Sequence, residues 1–139
     1  PLYDFLTSTL LLYLPGWPEM LRVKRVYERK EAGDGTRILV DRLWPRGLRS
    51  AEAGIDEWMK EVAPSDELRK WFAHDPEKWA EFKRRYAQEL AAPEKAALLK
   101  RLARLAAGSN VTLVYAAKDT EHNNARALEG LIAKAMKAA

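Results

Sequence analysis

A chain of 139 residues with 47% hydrophobic content is one domain's worth and long enough to bury a core. It contains no cysteine, which excludes a disulfide framework, a thiol nucleophile and thiolate-bound metal, and which fits a reducing cytoplasm. Net charge is +4, yet from Met20 onward 24 basic residues face 18 acidic ones, so a polyanionic partner is admissible although the basic residues are interleaved with acids.

Residues 1–19 differ from the rest, with Asp4 and Glu19 and no Lys or Arg. The apolar run Leu10 to Leu14 is too short to span a membrane. No basic region precedes it, and Pro15-Gly16-Trp17-Pro18 is no small-residue cleavage site, which argues against a signal peptide. Met20-Leu21-Arg22-Val23 reads like a start. The expectation is an N-terminal extension over 1–19, non-native or from an upstream start, and a single α/β domain over 20–139. An exposed apolar run in the extension would cover a neighbouring protomer, hence a homodimer.

Arg22 to Tyr27 mixes charge with β-formers and predicts an outer strand. Glu31-Ala32-Gly33-Asp34-Gly35 is a turn. Ile38-Leu39-Val40 predicts an interior strand, which ends at Asp41-Arg42-Leu43-Trp44-Pro45-Arg46-Gly47. Pro45 fixes φ there and Gly47 permits a positive φ, so the chain turns. Ile55, Trp58, Met59 and Val62 recur at helical spacing, and Pro64 ends that stretch. Ser65 caps the next helix, with Leu68, Trp71 and Phe72 on its apolar face. Asp75 and Pro76 restart the pattern as N-cap and first helical residue. Trp79, Phe82, Tyr86 and Leu90 follow on one side, with Glu81 and Arg85 as an i,i+4 ion pair. Pro93 opens a further helix and Gly108 closes it. Val111 to Tyr115 is a second interior strand, Ala116 to Thr120 the turn after it, and a helix with Ala125, Leu128, Leu131, Ile132 and Ala135 inward ends the chain.

Long helical crossovers between apolar strands imply parallel pairing. The fold class is therefore α/β: a small layered domain with a short, mostly parallel sheet flanked by helices. Three strands are few, and the expected place for a fourth is the N-terminal segment.

Two clusters follow the interior strands, where open α/β sheets gather ligands. In the first, Arg42 and Arg46 suit a phosphate or carboxylate, Trp44 is a turn tryptophan with no periodic core role, and Asp41 would orient an arginine or act as a base. The structural alternative is a buried Asp–Arg pair locking the turn. In the second, Lys118, Asn123 and a helix start would attract an anion, Asp119 or Thr120 is the expected cap, and the helix dipole would keep His122 neutral and able to accept a proton. His74 and Asp75 form a secondary candidate pair. The histidine spacing matches no standard metal pattern, so no metal site is expected. No phosphate loop, dinucleotide fingerprint or nucleophile elbow is present, and the sequence names no cofactor.

These stretches carry a resemblance. Arg22 to Tyr27, Gly33-Asp34-Gly35 with Arg37 to Gly47, Leu68 to Phe72 with His74-Asp75-Pro76, and Val114 to Asp119 with Glu121-His122-Asn123 resemble the YeaO-like family of bacterial and archaeal proteins over about residues 21–132. The resemblance implies a small cytoplasmic α/β protein and brings no established substrate or catalytic residue. The functional expectation is a protein that binds, or acts on, a small phosphate- or carboxylate-bearing molecule at the strand ends. Arg42, Arg46 and Lys118 would hold the anion, while Asp41, His122 or Asp119 would move protons. One alternative is a nucleic-acid-binding accessory protein, using a basic face from Arg22, Lys24, Lys83, Arg84, Lys100 and Arg104. A protein–protein interaction module is the other.

Overall fold

Among the described residues, four short strands, β1 (Leu21–Arg25), β2 (Thr36–Leu39), β3 (Glu57–Trp58) and β4 (Val111–Tyr115), pair in the order β1-β4-β2-β3, all parallel. The coordinates are a computed structural model, which describes residues 21–138. β4 is the centre of the sheet: Leu113 sits beside Val23 on one flank and Ile38 on the other. All five β4 residues are buried, as a near-continuous apolar run requires, whereas β1 is half-exposed at an edge.

The described residues also form four α-helices, three between β3 and β4 and one after β4: α1 (Asp66–Phe72), α2 (Trp79–Glu89), α3 (Pro93–Gly108) and α4 (Asn124–Ala138). All pack on one face of the sheet. Strand residues Ile38, Val40, Val111, Leu113 and Tyr115 meet Leu68 and Phe72 of α1, Phe82 and Tyr86 of α2, Leu102 and Ala106 of α3, and Leu128 and Ile132 of α4. Each large apolar side chain buried there stabilises the fold by roughly 1.5–3 kcal/mol relative to exposure. The opposite face is thinner. Val26, Leu39 and Val114 meet Trp44, Leu48 and Ile55, with no helical residue among those described.

The expected caps form. Ser65 Oγ accepts from the Leu68 N–H at 3.1 Å and donates to Glu89 at 2.5 Å, which ties the start of α1 to the end of α2. Asp75 accepts from the Glu77 N–H at 3.0 Å, and Pro93 and Gly108 bound α3. Glu81 bonds Arg84, with Arg85 more remote at 4.0 Å, so the i,i+3 neighbour takes most of the pairing expected for Arg85.

The helix expected from Ile55 to Val62 does not exist. Glu57–Trp58 is the fourth strand, followed by a 3₁₀ turn at Lys60–Val62. Its spacing matched a helical stripe, but Ile55 packs on the thin face while Met59 and Val62 enter the helix-covered core. One helix face cannot serve both sides of a sheet. β2 wins the segment by pairing: Asp56 N–H bonds Arg37 O at 2.8 Å, and Met59 N–H bonds Leu39 O at 2.9 Å. The N-terminal extension, its strand and its role at a dimer contact lie outside the described residues.

A buried charge cluster stands at the amino end of β2. Asp34 and Arg37 are almost fully excluded from solvent and pair at 2.8 Å. Asp34 also takes Lys24 Nζ at 3.1 Å and the Glu31 N–H at 3.1 Å. Burial would raise the Asp34 carboxyl, but the Glu31 N–H, Arg37 and Lys24 together hold it below the usual carboxylate range. Gly35, at φ 63°, is needed beside it, since a Cβ would lie 2.1 Å from the Asn110 carbonyl oxygen.

Candidate functional site

Parallel strands release the chain at a common edge, so the segments after β1, β2 and β4 meet there. They enclose a cavity of about 680 Å³ with α1, its following turn and the start of α4. Asp41, Arg42, Trp44 and Arg46 of the first cluster line it, as do Lys118, Asp119 and Asn123 of the second, and His74. The two strand-end clusters therefore converge on one cleft.

Asp41 is half-buried at the foot of the cleft. Its carboxylate accepts the Ala116 N–H at 2.9 Å and Asn124 Nδ2 at 3.1 Å, which stitches the ends of β2 and β4 together. Burial pushes the carboxyl above its usual range; those two bonds and the charges of His74 and Arg69 act in the other direction and do not cancel it. The Asp–Arg pair that would lock the turn is not formed. Arg42 instead reaches the Pro64 carbonyl at 3.3–3.4 Å and Asp66 at 3.8 Å, and among the described residues the buried Asp–Arg pair is Asp34–Arg37.

Two tryptophans fix the turn. Trp44 donates to Leu48 O at 2.7 Å and packs edge-on against Trp58 at 5.4 Å. Trp58 donates to the Asp41 carbonyl at 2.8 Å, so the residue expected in a helical core stripe instead holds the site from an exposed edge. Gly47 adopts φ 77°, as the turn demands.

An arc of basic groups runs along the β1 side of the cleft. Tyr27 Oη donates to the Arg46 carbonyl at 2.9 Å, and the Arg25 guanidinium lies 5.0 Å from the Tyr27 ring centre. Arg25 in turn donates to Ala116 O at 2.8 Å and Ala117 O at 2.9 Å, next to Lys118. The side chains of Arg46 and Lys118 are exposed and make no ion pair among the described residues.

Opposite stand Arg69 and His74. Ala73 and His74 both take left-handed backbone, at φ 47° and 58°, where side chains other than glycine are strained. This turn ends α1 and presents His74 to the cavity. Asp75 caps the next turn and does not line the cleft. His122 also stands outside the cavity lining. It precedes α4 rather than lying in its first turn, with Nδ1 3.0 Å from Asp119 and its ring edge-on to Trp79 at 5.4 Å. The Glu121 and His122 N–H groups, ahead of the His122 side chain, hold the Asp119 carboxyl below its usual range. Neither Asp119 nor Thr120 caps α4: Asn123 does, through the Arg126 N–H at 2.9 Å.

Arg25, Tyr27, Arg69, Phe72, Phe82 and Asn124 line the cleft without having been singled out from the sequence. Arg25 and Tyr27 were findable, because the strand-end rule applies to β1 as well. Arg69, Phe72 and Phe82 come from helices whose orientation no local pattern reveals. Elsewhere, Arg22 and Lys24 pair with Asp34, and Arg84 with Glu81, so half of the proposed basic face is engaged in local ion pairs. Among the described residues no group of His, Asp or Glu is placed to hold a metal ion, and no helix is long and apolar enough to cross a membrane.

A parallel sheet with helices packed on it and a cation-rimmed cleft at its carboxyl edge defines a small α/β domain. The chain belongs to the family described as the inactive DUF488-N3 subclade, whose model matches residues 20–139. It is similar to the uncharacterized protein YeaO of Escherichia coli K12, at 47% identity over 108 residues, covering 78% of this chain and 92% of that one. It is also similar to the uncharacterized protein Rv3073c of Mycobacterium tuberculosis H37Rv, at 43% identity over 112 residues, covering 81% and 92%. No solved structure matches the chain.

Proposed function

We propose that this protein binds a small carboxylate- or phosphate-bearing molecule in the cleft at the carboxyl edge of its sheet. The observation that carries this reading is the charge balance of the lining. Arg25, Arg42, Arg46, Arg69 and Lys118 face the cleft against two carboxylates, Asp41 and Asp119. Asp119 is committed to the Glu121 and His122 N–H groups and to the His122 ring. Arg46 and Lys118 remain without a counter-charge among the described residues. Guanidinium and ammonium groups gathered in a concave, partly desolvated site attract an anion far more than the same groups scattered over a surface.

Holding the molecule, rather than transforming it, is the better supported role. The family carries the description inactive, and the His122–Asp119 pair, the best-formed acid–base couple near the strand ends, has its histidine outside the cavity lining. Asp41 then serves recognition. In its neutral form it donates a hydrogen bond to the anion, and in its charged form it accepts one from a hydroxyl or amide of the ligand.

Isothermal titration of the chain with acetate, inorganic phosphate and benzoate tests the reading. Millimolar or tighter binding of at least one anion, weakened about tenfold or more in an Arg46→Gln/Lys118→Gln double variant, is the expected result, as loss of charge-assisted contacts implies. Equal binding by the double variant, or no heat from any anion, would remove the proposal.

A further inference from the structure

The cationic groups occupy only the rim of this cleft. Its walls are apolar: Phe72 and Phe82 are 4% and 2% exposed, Ala63 is 4% exposed, and Pro45 and Pro64 are buried beside them. The apolar character continues outward. Among the described residues three large hydrophobic side chains are exposed, and two of them, Tyr27 at 45% and Leu43 at 61%, line the same cleft. The third, Trp58, packs on Trp44 and bonds the Asp41 carbonyl just behind it. Exposed apolar area gathered at one mouth, instead of scattered singly, marks a recognition surface.

The charges are also unevenly placed around the mouth. On the α1 side, Arg42 and Arg69 share Asp66, at 3.8 and 3.4 Å. On the β1 side, Glu28 bonds the Arg25 backbone N–H at 2.7 Å and Asp119 follows Lys118, but none of the side chains of Arg25, Arg46 and Lys118 forms an ion pair among the described residues. The cations without an ion-pair partner are thus gathered at one end of an apolar slot of about 680 Å³, a volume suited to a molecule with a ring system or a branched acyl body rather than a bare inorganic ion. Asp41, with Asn124 beside it, is a polar group within the apolar wall and selects for a hydrogen-bonding substituent on that body.

Resting on the binding role proposed above, we infer that the ligand is an amphiphilic acid: an aromatic or branched aliphatic body seated against the exposed Leu43 and Tyr27, over a floor to which Ala63, Pro64, Phe72 and Phe82 contribute, with its single carboxylate or phosphate held by Arg46 and Lys118 on the β1 side. A bare anion would satisfy the rim and leave Leu43 and Tyr27 wet. An uncharged hydrocarbon would fill the walls and leave the rim unanswered. The acid does both, so each part of the site has a counterpart in one molecule.

The test is a ligand series on the unmodified full chain, read by calorimetry and by ligand-observed NMR. The probes are acetate, benzoate, 2-naphthoate and the uncharged 2-naphthalenemethanol. Affinity should rise from acetate to 2-naphthoate, with the bicyclic acid at least roughly tenfold tighter than acetate, since the added rings bury apolar surface. Arg46→Gln and Lys118→Gln, both exposed and safe for folding, should each weaken 2-naphthoate severalfold, while Lys83→Gln on α2 should leave it unchanged. Equal affinity for acetate and 2-naphthoate would overturn the amphiphile and leave the anion-binding reading standing. Binding of 2-naphthalenemethanol as tight as that of 2-naphthoate would overturn the charged head. Absence of binding by every acid in the series would overturn both.

Discussion

At the scale of single residues the site is organised around Asp41. Its carboxylate closes the gap between two strand ends by accepting the Ala116 N–H and the Asn124 amide, yet burial holds its pKa above the usual value. A carboxyl that titrates higher when folded favours folding in its protonated form. Its contribution is complete below the unfolded pKa, near 3.8, and is lost as pH rises through the folded value. Asparagine does not titrate, so the melting temperature of Asp41→Asn minus that of the parent should increase between pH 4 and pH 7. A constant or falling difference in a pH series of thermal melts contradicts this assignment. Ala73 gives a second residue-level expectation. It is exposed at φ 47°, a conformation that costs a side chain about 1 kcal/mol, so Ala73→Gly should raise the melting temperature by roughly 3–6 °C. Calorimetry showing destabilisation would mean that the turn is held by contacts of the Ala73 methyl group. Neither Asp41's hydrogen bonds nor this turn is written in local sequence. Asp41 was recognisable only as a polar residue after a strand, whereas Gly47 was legible outright because a positive φ has few residue solutions.

Among elements, β3 shows where periodicity misleads. Two residues of strand and a 3₁₀ turn reproduced helical spacing, and only pairing with β2 decided the outcome. Segments with self-contained signals were read correctly: the Ser65 and Asp75 caps, the Pro93 and Gly108 bounds of α3, and the β-branched run of β4. The buried Asp34–Arg37 pair escaped notice, since Gly33-Asp34-Gly35 reads as an ordinary turn. It anchors the amino end of β2 under the thin face, with Arg37 also donating to the Gly54 carbonyl at 2.9 Å. Removing one partner leaves the other charge buried, so Asp34→Ala should lose about 3–5 kcal/mol in urea unfolding. A loss below about 1 kcal/mol would show that water or another cation repairs the site.

For the molecule as a whole, placing all four helices on one face leaves loops to build the other and the carboxyl edge. That asymmetry is why the cleft forms: the turns after β1, β2 and β4 are free to line it instead of packing under a helix. The class of fold and both strand-end clusters were legible, because apolar runs and turn chemistry are local. Their convergence on one cleft was legible too, because parallel strands end at a common edge; the helix-derived wall and the exclusion of His122 were not, because they depend on how α1, α2 and α4 dock. The central claim is that an anion binds over the ends of β2 and β4, with its charge toward β1. Its most direct test is a ¹H–¹⁵N NMR titration with benzoate. Shift changes are expected to concentrate at Asp41 to Arg46 and Ala116 to Asp119 together with the Trp44 indole N–H. Changes centred instead on the groove between α2 and α4, around Lys83 and Lys134, would contradict it.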